Sequence, residues 1–397
     1  MKKNSLKNGP DELGYYGNGK SAMGGMAVGE TLMPALHELN LGFENAIKDK
    51  EFLEEYAYYC KHYIGRPSPY YYAENLSNHL GGPKIFFKQE HLNHTGSHKV
   101  NNSLFQVLLA KRMGKTHLIC ESGAGQHYSA TAAVAAKFNM PLIGVMGDID
   151  VRRVNQNIIK AKHYGAKLKT VPGTLKEAIT DAIKTWTTNP EYAYICGSVV
   201  SSNPFPKIVA FAQSIIGKEI REQSMTQEGK LPDMICGCVG GGSNFAGSIF
   251  EFLDEPNIIK VGVEAAETAA LTNGTPGIMQ GMKTYMLQTD DGAKSLGGMS
   301  LGAGITYFSV GPLHSYLKDQ GAVTYSSATD KEMLEAYKLI AKTEGICSAL
   351  EPMAAAAEVI FRQSKNKSKD FHICISLCGR GEKDLDTIQE NIGKDFE

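Results

Sequence analysis

MICGCVGGGSNFAGSI, residues 234–249, is an apolar strand-like run, Met234–Val239, followed by three glycines and a helix-like stretch. Strand, tight turn and helix in that order form the repeating unit of a parallel sheet with crossover helices. The same alternation extends outward from about Lys84, with strand-like runs at Ile85–Lys88, His117–Cys120, Leu142–Met146, Lys167–Val171, Lys260–Glu264 and Phe371–Leu377. Several are apolar on both faces, as a sheet covered by helices requires. Between them Phe205, Ile208, Val209, Ala212, Ile215 and Ile216 recur at helical spacing, and Asp330 opens a second helix through Met333, Leu334, Tyr337 and Ile340. From Gly262 to Gly311 the periodicity fades into Gly, Thr, Ser and Met, which predicts a long functional loop region.

A chain of 397 residues with 42% hydrophobic and 21% charged residues buries a large core and is expected to divide into two domains. Its 41 basic and 42 acidic residues nearly cancel, with no basic stripe interleaved with aromatics, so neither nucleic acid nor an anionic membrane is an expected partner. The opening MKKNSLKNGPDELGYYG has no apolar segment behind its lysines, and no run of about 18 apolar residues follows anywhere, so the expected location is the cytoplasm. The eight cysteines are scattered apart from Cys236 and Cys238, and C-x-C inside a strand-like run is neither a zinc nor a disulfide pattern. No metal site is expected from side chains.

Three segments carry chemistry: HLNHTGSHKVNNS at 91–103, ESGAGQHYSAT at 121–131 and CVGGGSN at 238–244. In the last, Gly240, Gly241, Gly242, Ser243 and Asn244 offer backbone N–H groups that can converge on a phosphate, although such a turn is as often a packing junction. The P-loop and dinucleotide motifs are absent, which disfavours nucleotides. Lys99 stands near the first turn of a buried helix, where the helix dipole and desolvation both favour the neutral amine, and a neutral amine can form an imine. A solvated lysine at a helix start is the ordinary alternative.

The segments RPSP (66–69), HTGSHKVNN (94–102), LLAKRMGK (108–115), ESGAGQH (121–127), CVGGGSN (238–244), TEGI (343–346), ALE (349–351) and GRGEKD (379–384) closely resemble the tryptophan synthase β chain, in order and across most of the chain. The resemblance implies fold type II of the pyridoxal-phosphate (PLP) enzymes: two three-layer α/β/α domains with the cofactor between them. It assigns residues 1–60 and 99–213 to an N-terminal domain, with a mobile subdomain at about 114–198, and 61–98 and 214–397 to a C-terminal one. Lys99 resembles the lysine that carries PLP and moves the substrate's α-proton. His98 and the 240–244 loop then hold the phosphate, Glu121 serves as acid and base, and Glu351 lies beside the pyridine ring. Ser122, Gly123, Ala124, Gly125, Gln126 and His127 form the loop that binds the substrate carboxylate, while Arg153 and Lys176 align with charged residues of domain closure. The implied reaction is β-replacement, in which serine loses its hydroxyl and indole adds to the β-carbon to give L-tryptophan; if water adds instead, the products are pyruvate and ammonia. A homodimer, an α-chain partner and a monovalent cation on backbone carbonyls are implied in the same way.

Departures cluster where specificity is set. The family's Gly-Leu-Asp is here Gly304, Ile305 and Thr306, so a neutral hydroxyl replaces the carboxylate that recognises serine. Cys378 takes the place of the serine facing the pyridine nitrogen, as in a related serine dehydratase. Ser201–Pro206, Met279, Gln280 and Tyr128 also differ from the family. Thr306 and Cys378 motivate an alternative: a paralogue eliminating serine or threonine, or adding another nucleophile. A non-catalytic scaffold is the third reading, and intact Lys99 and Glu121 argue against it.

Overall fold

Each of the seven strand-like runs forms a strand within one residue of its expected ends in the computed structural model, which describes residue 6, residues 9–152 and residues 155–392. A six-stranded sheet runs in the order Thr324–Ala328, Ile259–Ala265, Met234–Cys238, His372–Ser376, Lys84–Lys88, Tyr70–Tyr72. Its strands are parallel apart from the antiparallel edge pair of Tyr70–Tyr72 with Lys84–Lys88. Successive side chains leave opposite faces. Accordingly Ile85, Phe87, Cys236, Cys238, Ile373 and Ile375 pack with Leu350 to Ala357 on one side, whereas Phe86, Ile235 and Cys374 meet Ile216, Phe245 and Ile249 on the other.

A second, four-stranded parallel sheet runs Lys167–Val171, Leu142–Gly147, His117–Glu121, Tyr192–Ile195. One face holds Leu118, Cys120, Leu142 and Met146 against helices Lys99–Arg112 and Gln126–Lys137; the other holds Ile119, Val145 and Tyr194 against Ala178, Ala182 and Trp186. Each parallel sheet is thus the middle of three layers. Tyr128 is wholly buried here because Gly144 faces its ring: a Cβ at Gly144 would lie 2.2 Å from Tyr128 Cδ2.

The structure corrects two expectations. The 262–311 region is not one long loop, for Thr275–Met279 and Met282–Met286 form a hairpin that joins Met23–Gly24 in a small antiparallel sheet. Gln280 and Gly281 both have positive φ, 48° and 79°, as the favoured two-residue hairpin turn requires. The partner strand lies about 260 positions away, beyond the reach of local periodicity. The helix through Phe205 and Ile216 is two, Phe205–Gln213 and Ile215–Glu228, divided where the Ser214 N–H is shared between Ala210 and Phe211 carbonyls. Lys167–Val171 forms at its expected bounds as an edge strand with three of five residues exposed, and is not among the strands covered on both faces.

Candidate active site

Ligands of parallel α/β sheets bind outside the carboxyl ends of the strands, and both parallel sheets end at one cleft. Glu121 closes the strand His117–Glu121, while Cys238 and Cys378 lie at or just beyond the ends of Met234–Cys238 and His372–Ser376. The cleft encloses about 1030 Å³ including its mouth. Lys99, Glu121, His98, Gly240 to Asn244, Glu351, Cys378, Ser122, Gly123, Ala124, Gln126, His127 and Thr306 all line it. Gly125 does not; with φ 71° it makes the turn into helix Gln126–Lys137 from behind the wall.

Lys99 is the first residue of helix Lys99–Arg112, and its Nζ donates to the carbonyl of Gly197. Burial lowers its pKa below that of an ordinary lysine, opposed chiefly by the negative charge of Glu121. Beneath the helix lies a buried ion cluster. The Arg66 guanidinium bridges Glu90 (2.8 Å) and Glu219 (2.7 Å), Lys88 also donates to Glu219 (2.6 Å), and Arg66 Nη1 donates to Asn101 Oδ1 (2.9 Å). Asn101 in turn donates to Gln213 Oε1 (3.0 Å), and Gln213 donates to the carbonyl of His98 (3.1 Å). The RPSP segment therefore fixes the turn that presents Lys99.

Glu121 accepts from the Gly197 N–H through Oε1 (2.9 Å), the Tyr194 side chain lies close enough to favour its ionised form, and Oε2 is buried with no well-aligned hydrogen bond among the described residues. Burial is the largest influence on the carboxyl and raises its pKa. His127 Nε2 meets the Ile195 carbonyl at 2.8 Å and so carries the ring proton; burial, with the charge of Lys99, holds its pKa near 3 and keeps the ring neutral. Asn157 takes the Ala124 carbonyl from behind (2.8 Å), which leaves the 122–127 turn facing the cleft.

On the opposite wall His98 Nε2 lies 3.1 Å from Ser243 Oγ, and Ser376 donates to Asn244 Oδ1 (3.2 Å). Asn244 Nδ2 and Ser198 Oγ are buried with no hydrogen-bond partner among the described residues. Side chains are shut out of the glycine loop: a Cβ on Gly241 would lie 2.0 Å from Ser198 Oγ, and one on Gly240 2.8 Å from Ile305 Cα. Glu351 accepts from the Gly304 N–H (2.7 Å) and from Lys383 (2.9 Å), which also bonds Asp384 (2.7 Å). Burial alone would raise the Glu351 pKa, but the charge and hydrogen bond of Lys383 bring it below the ordinary carboxylate value. Cys378 Sγ lies 3.6 Å from Cys238 Sγ.

Thr306 faces the cleft with its hydroxyl already engaged, donating to the carbonyls of Gly302 (3.1 Å) and Ser300 (3.3 Å). Lys176 reaches Ser295 Oγ (3.2 Å) and lies 5.8 Å over the Phe308 ring, whereas Arg153 is outside the described residues. Sequence reasoning gave no role to Lys383, although GRGEKD contained it, nor to Ser198, Gly197 and Asn157, which no local motif marks.

A buried lysine and a side-chain-free anion cradle at the ends of two parallel sheets define a PLP-dependent enzyme, and the family described as "Pyridoxal-phosphate dependent enzyme" matches residues 62–379. A threonine deaminase from T.th. has the same fold, with a TM-score of 0.63 at 18% identity over 87% of this chain and 98% of that one. The tryptophan synthase beta chain of Allorhizobium ampelinum is 48% identical over 98% of both chains, and that of Dinoroseobacter shibae is 45% identical over 99% of this chain and 98% of its own. The chain belongs to the tryptophan synthase beta chain family. The residues present fit PLP: the unpartnered Asn244 Nδ2 and Ser198 Oγ and the cradle that a Cβ would fill suit a phosphate, and Lys99 suits an imine.

Proposed function

We propose that the chain joins L-serine and indole into L-tryptophan by PLP-dependent β-replacement. The observation that carries this reading is the pair Lys99 and Glu121, a lysine held toward neutrality and a carboxyl held toward protonation in one buried cleft. PLP, when bound, withdraws electrons from the substrate's α-carbon. Lys99 Nζ is the base for the α-proton. The 122–127 turn binds the serine carboxylate through its backbone N–H groups, and Asn157 supports it from the rear. Glu121 gives a proton to the departing hydroxyl, then accepts one from the indole ring; a raised pKa suits the first task, and its unpartnered Oε2 suits both.

Leu175, Ile179, Val200 and Ile305 line the rest of the cleft and exclude water, which decides between tryptophan and pyruvate. His98 and residues 240–244 would hold the cofactor's phosphate. Glu351, whose pKa Lys383 lowers, and Cys378 would be the residues beside the cofactor's ring when it is bound. The names of the relatives favour the synthase over serine or threonine elimination.

The two-domain division is supported by each parallel sheet drawing its strands from one of the two sets of segments. The Lys176 contacts with Ser295 and Phe308 link the proposed mobile subdomain to the opposite wall as a closure clasp. A homodimer and an α-chain partner complete the proposal. Among the described residues no helix is long and apolar enough to cross a membrane. Purified protein given serine and then indole is expected to consume indole and form tryptophan. Release of pyruvate with indole untouched overturns the reading.

A further inference from the structure

We propose that His314, which touches no ligand, is a positioning residue that turns the N–H groups of Gly242 and Ser243 toward the cofactor phosphate by holding the glycine loop's carbonyls from the rear. The inference rests on the PLP reading above. His314 lies fully buried on helix Pro312–Asp319, behind the loop. Its Nε2 is 2.8 Å from the Gly242 carbonyl oxygen, which can only accept, so Nε2 carries the proton. Its Nδ1 then accepts from the Tyr325 hydroxyl (2.9 Å), which fixes the tautomer. Phe245 stacks on the ring at 5.9 Å and 9°, fixing its plane. Burial holds the imidazole pKa near 4, so the ring is neutral and fully satisfied.

One residue before that helix, the Gly311 N–H donates to the Gly241 carbonyl (3.1 Å), so the same segment grips two successive peptide units. In a trans peptide the C=O and the following N–H point in opposite directions. With both carbonyls held by the 311–314 segment, the N–H groups of Gly242 and Ser243 are directed the other way, toward the cleft that these residues line. The Gly242 carbonyl also accepts from Ala246 N–H (2.8 Å), which ties this orientation to the start of helix Ser243–Ile249. The approach is close enough to exclude a side chain. Gly242 has φ 95°, and a Cβ there would lie 2.2 Å from His314 Nε2.

The test compares PLP with pyridoxal, which lacks the phosphate, by absorbance titration of the full chain stripped of cofactor. His314→Leu is expected to weaken PLP binding about tenfold or more while leaving pyridoxal within about twofold. His314→Gln, whose side-chain N–H falls near the position of the ring Nε2–H, should recover most of the loss. Tyr325→Phe should show the same selectivity at smaller size, and it decides the matter if His314→Leu does not fold. Equal weakening of both ligands, or unchanged PLP binding, overturns the inference in either variant. A wild-type chain that takes up neither ligand instead overturns the PLP reading, a failure visible before any variant is made.

Discussion

Glu121 and Glu351 face one cleft from opposite walls, both buried, and the protein moves their pKa values in opposite directions. Glu121 has the Gly197 N–H on Oε1 and the Tyr194 side chain beside it, but desolvation prevails and its pKa is raised. Glu351 has Lys383 at 2.9 Å and the Gly304 N–H at 2.7 Å, which together overcome the same desolvation. Burial alone therefore does not decide the direction of the shift; the lysine charge in contact with one carboxyl does. The carboxyl proposed to exchange protons is thus the one whose pKa is raised, and the carboxyl proposed to lie along the ring is the one in contact with a lysine.

The sharpest way to break this comparison is to remove the amine. Lys99→Ala is expected to abolish the long-wavelength cofactor band and lower tryptophan formation on the order of 10⁴-fold. Glu121→Gln should lower turnover about 10²–10⁴-fold. A carboxyl whose folded pKa is raised loses stability as pH climbs from the ordinary carboxylate value through the raised one. Chemical denaturation at about pH 8 should therefore find cofactor-free Glu121→Gln as stable as wild type or more so. A less stable variant would show that Glu121 is structural.

Removing one member of the ion cluster beneath Lys99, by Arg66→Leu, should cost about 3–5 kcal/mol of unfolding free energy, because Glu90 and Glu219 are left buried without their main cation. Glu351→Gln should cost less, about 1–3 kcal/mol, since Lys383 keeps Asp384. Here the sign reverses: a depressed carboxyl pKa contributes stability that disappears as pH falls through the folded value. The gap between wild type and Glu351→Gln should shrink in acid, and a constant gap would refute the ionised assignment.

The smallest effect concerns pH. Because burial lowers the Lys99 pKa, PLP uptake at about pH 8–9 should rise less steeply than the about tenfold per unit of an ordinary lysine. In Glu121→Gln the dependence should flatten further, since the charge opposing that shift is gone.

Much was legible in the sequence because its signals are local. Seven strands were readable from apolar runs, and HTGSHKVNN, ESGAGQH and CVGGGSN converge on one cleft. The hairpin at 275–286 was not legible, since its sheet partner is Met23–Gly24. Nor was the use of the Thr306 hydroxyl by the carbonyls of Ser300 and Gly302, which the replacement of an aspartate alone could not foretell.

The sequence by itself determined the layered α/β architecture and the family, because periodicity and motifs are written within a few residues. Only the tertiary structure decided in which direction each carboxyl's pKa moves, how RPSP anchors the Lys99 helix, and that His314 stands behind the glycine loop. Those outcomes depend on desolvation and on partners 32 to 153 positions apart, such as Lys383 with Glu351 and Arg66 with Glu219, and folding alone brings them together.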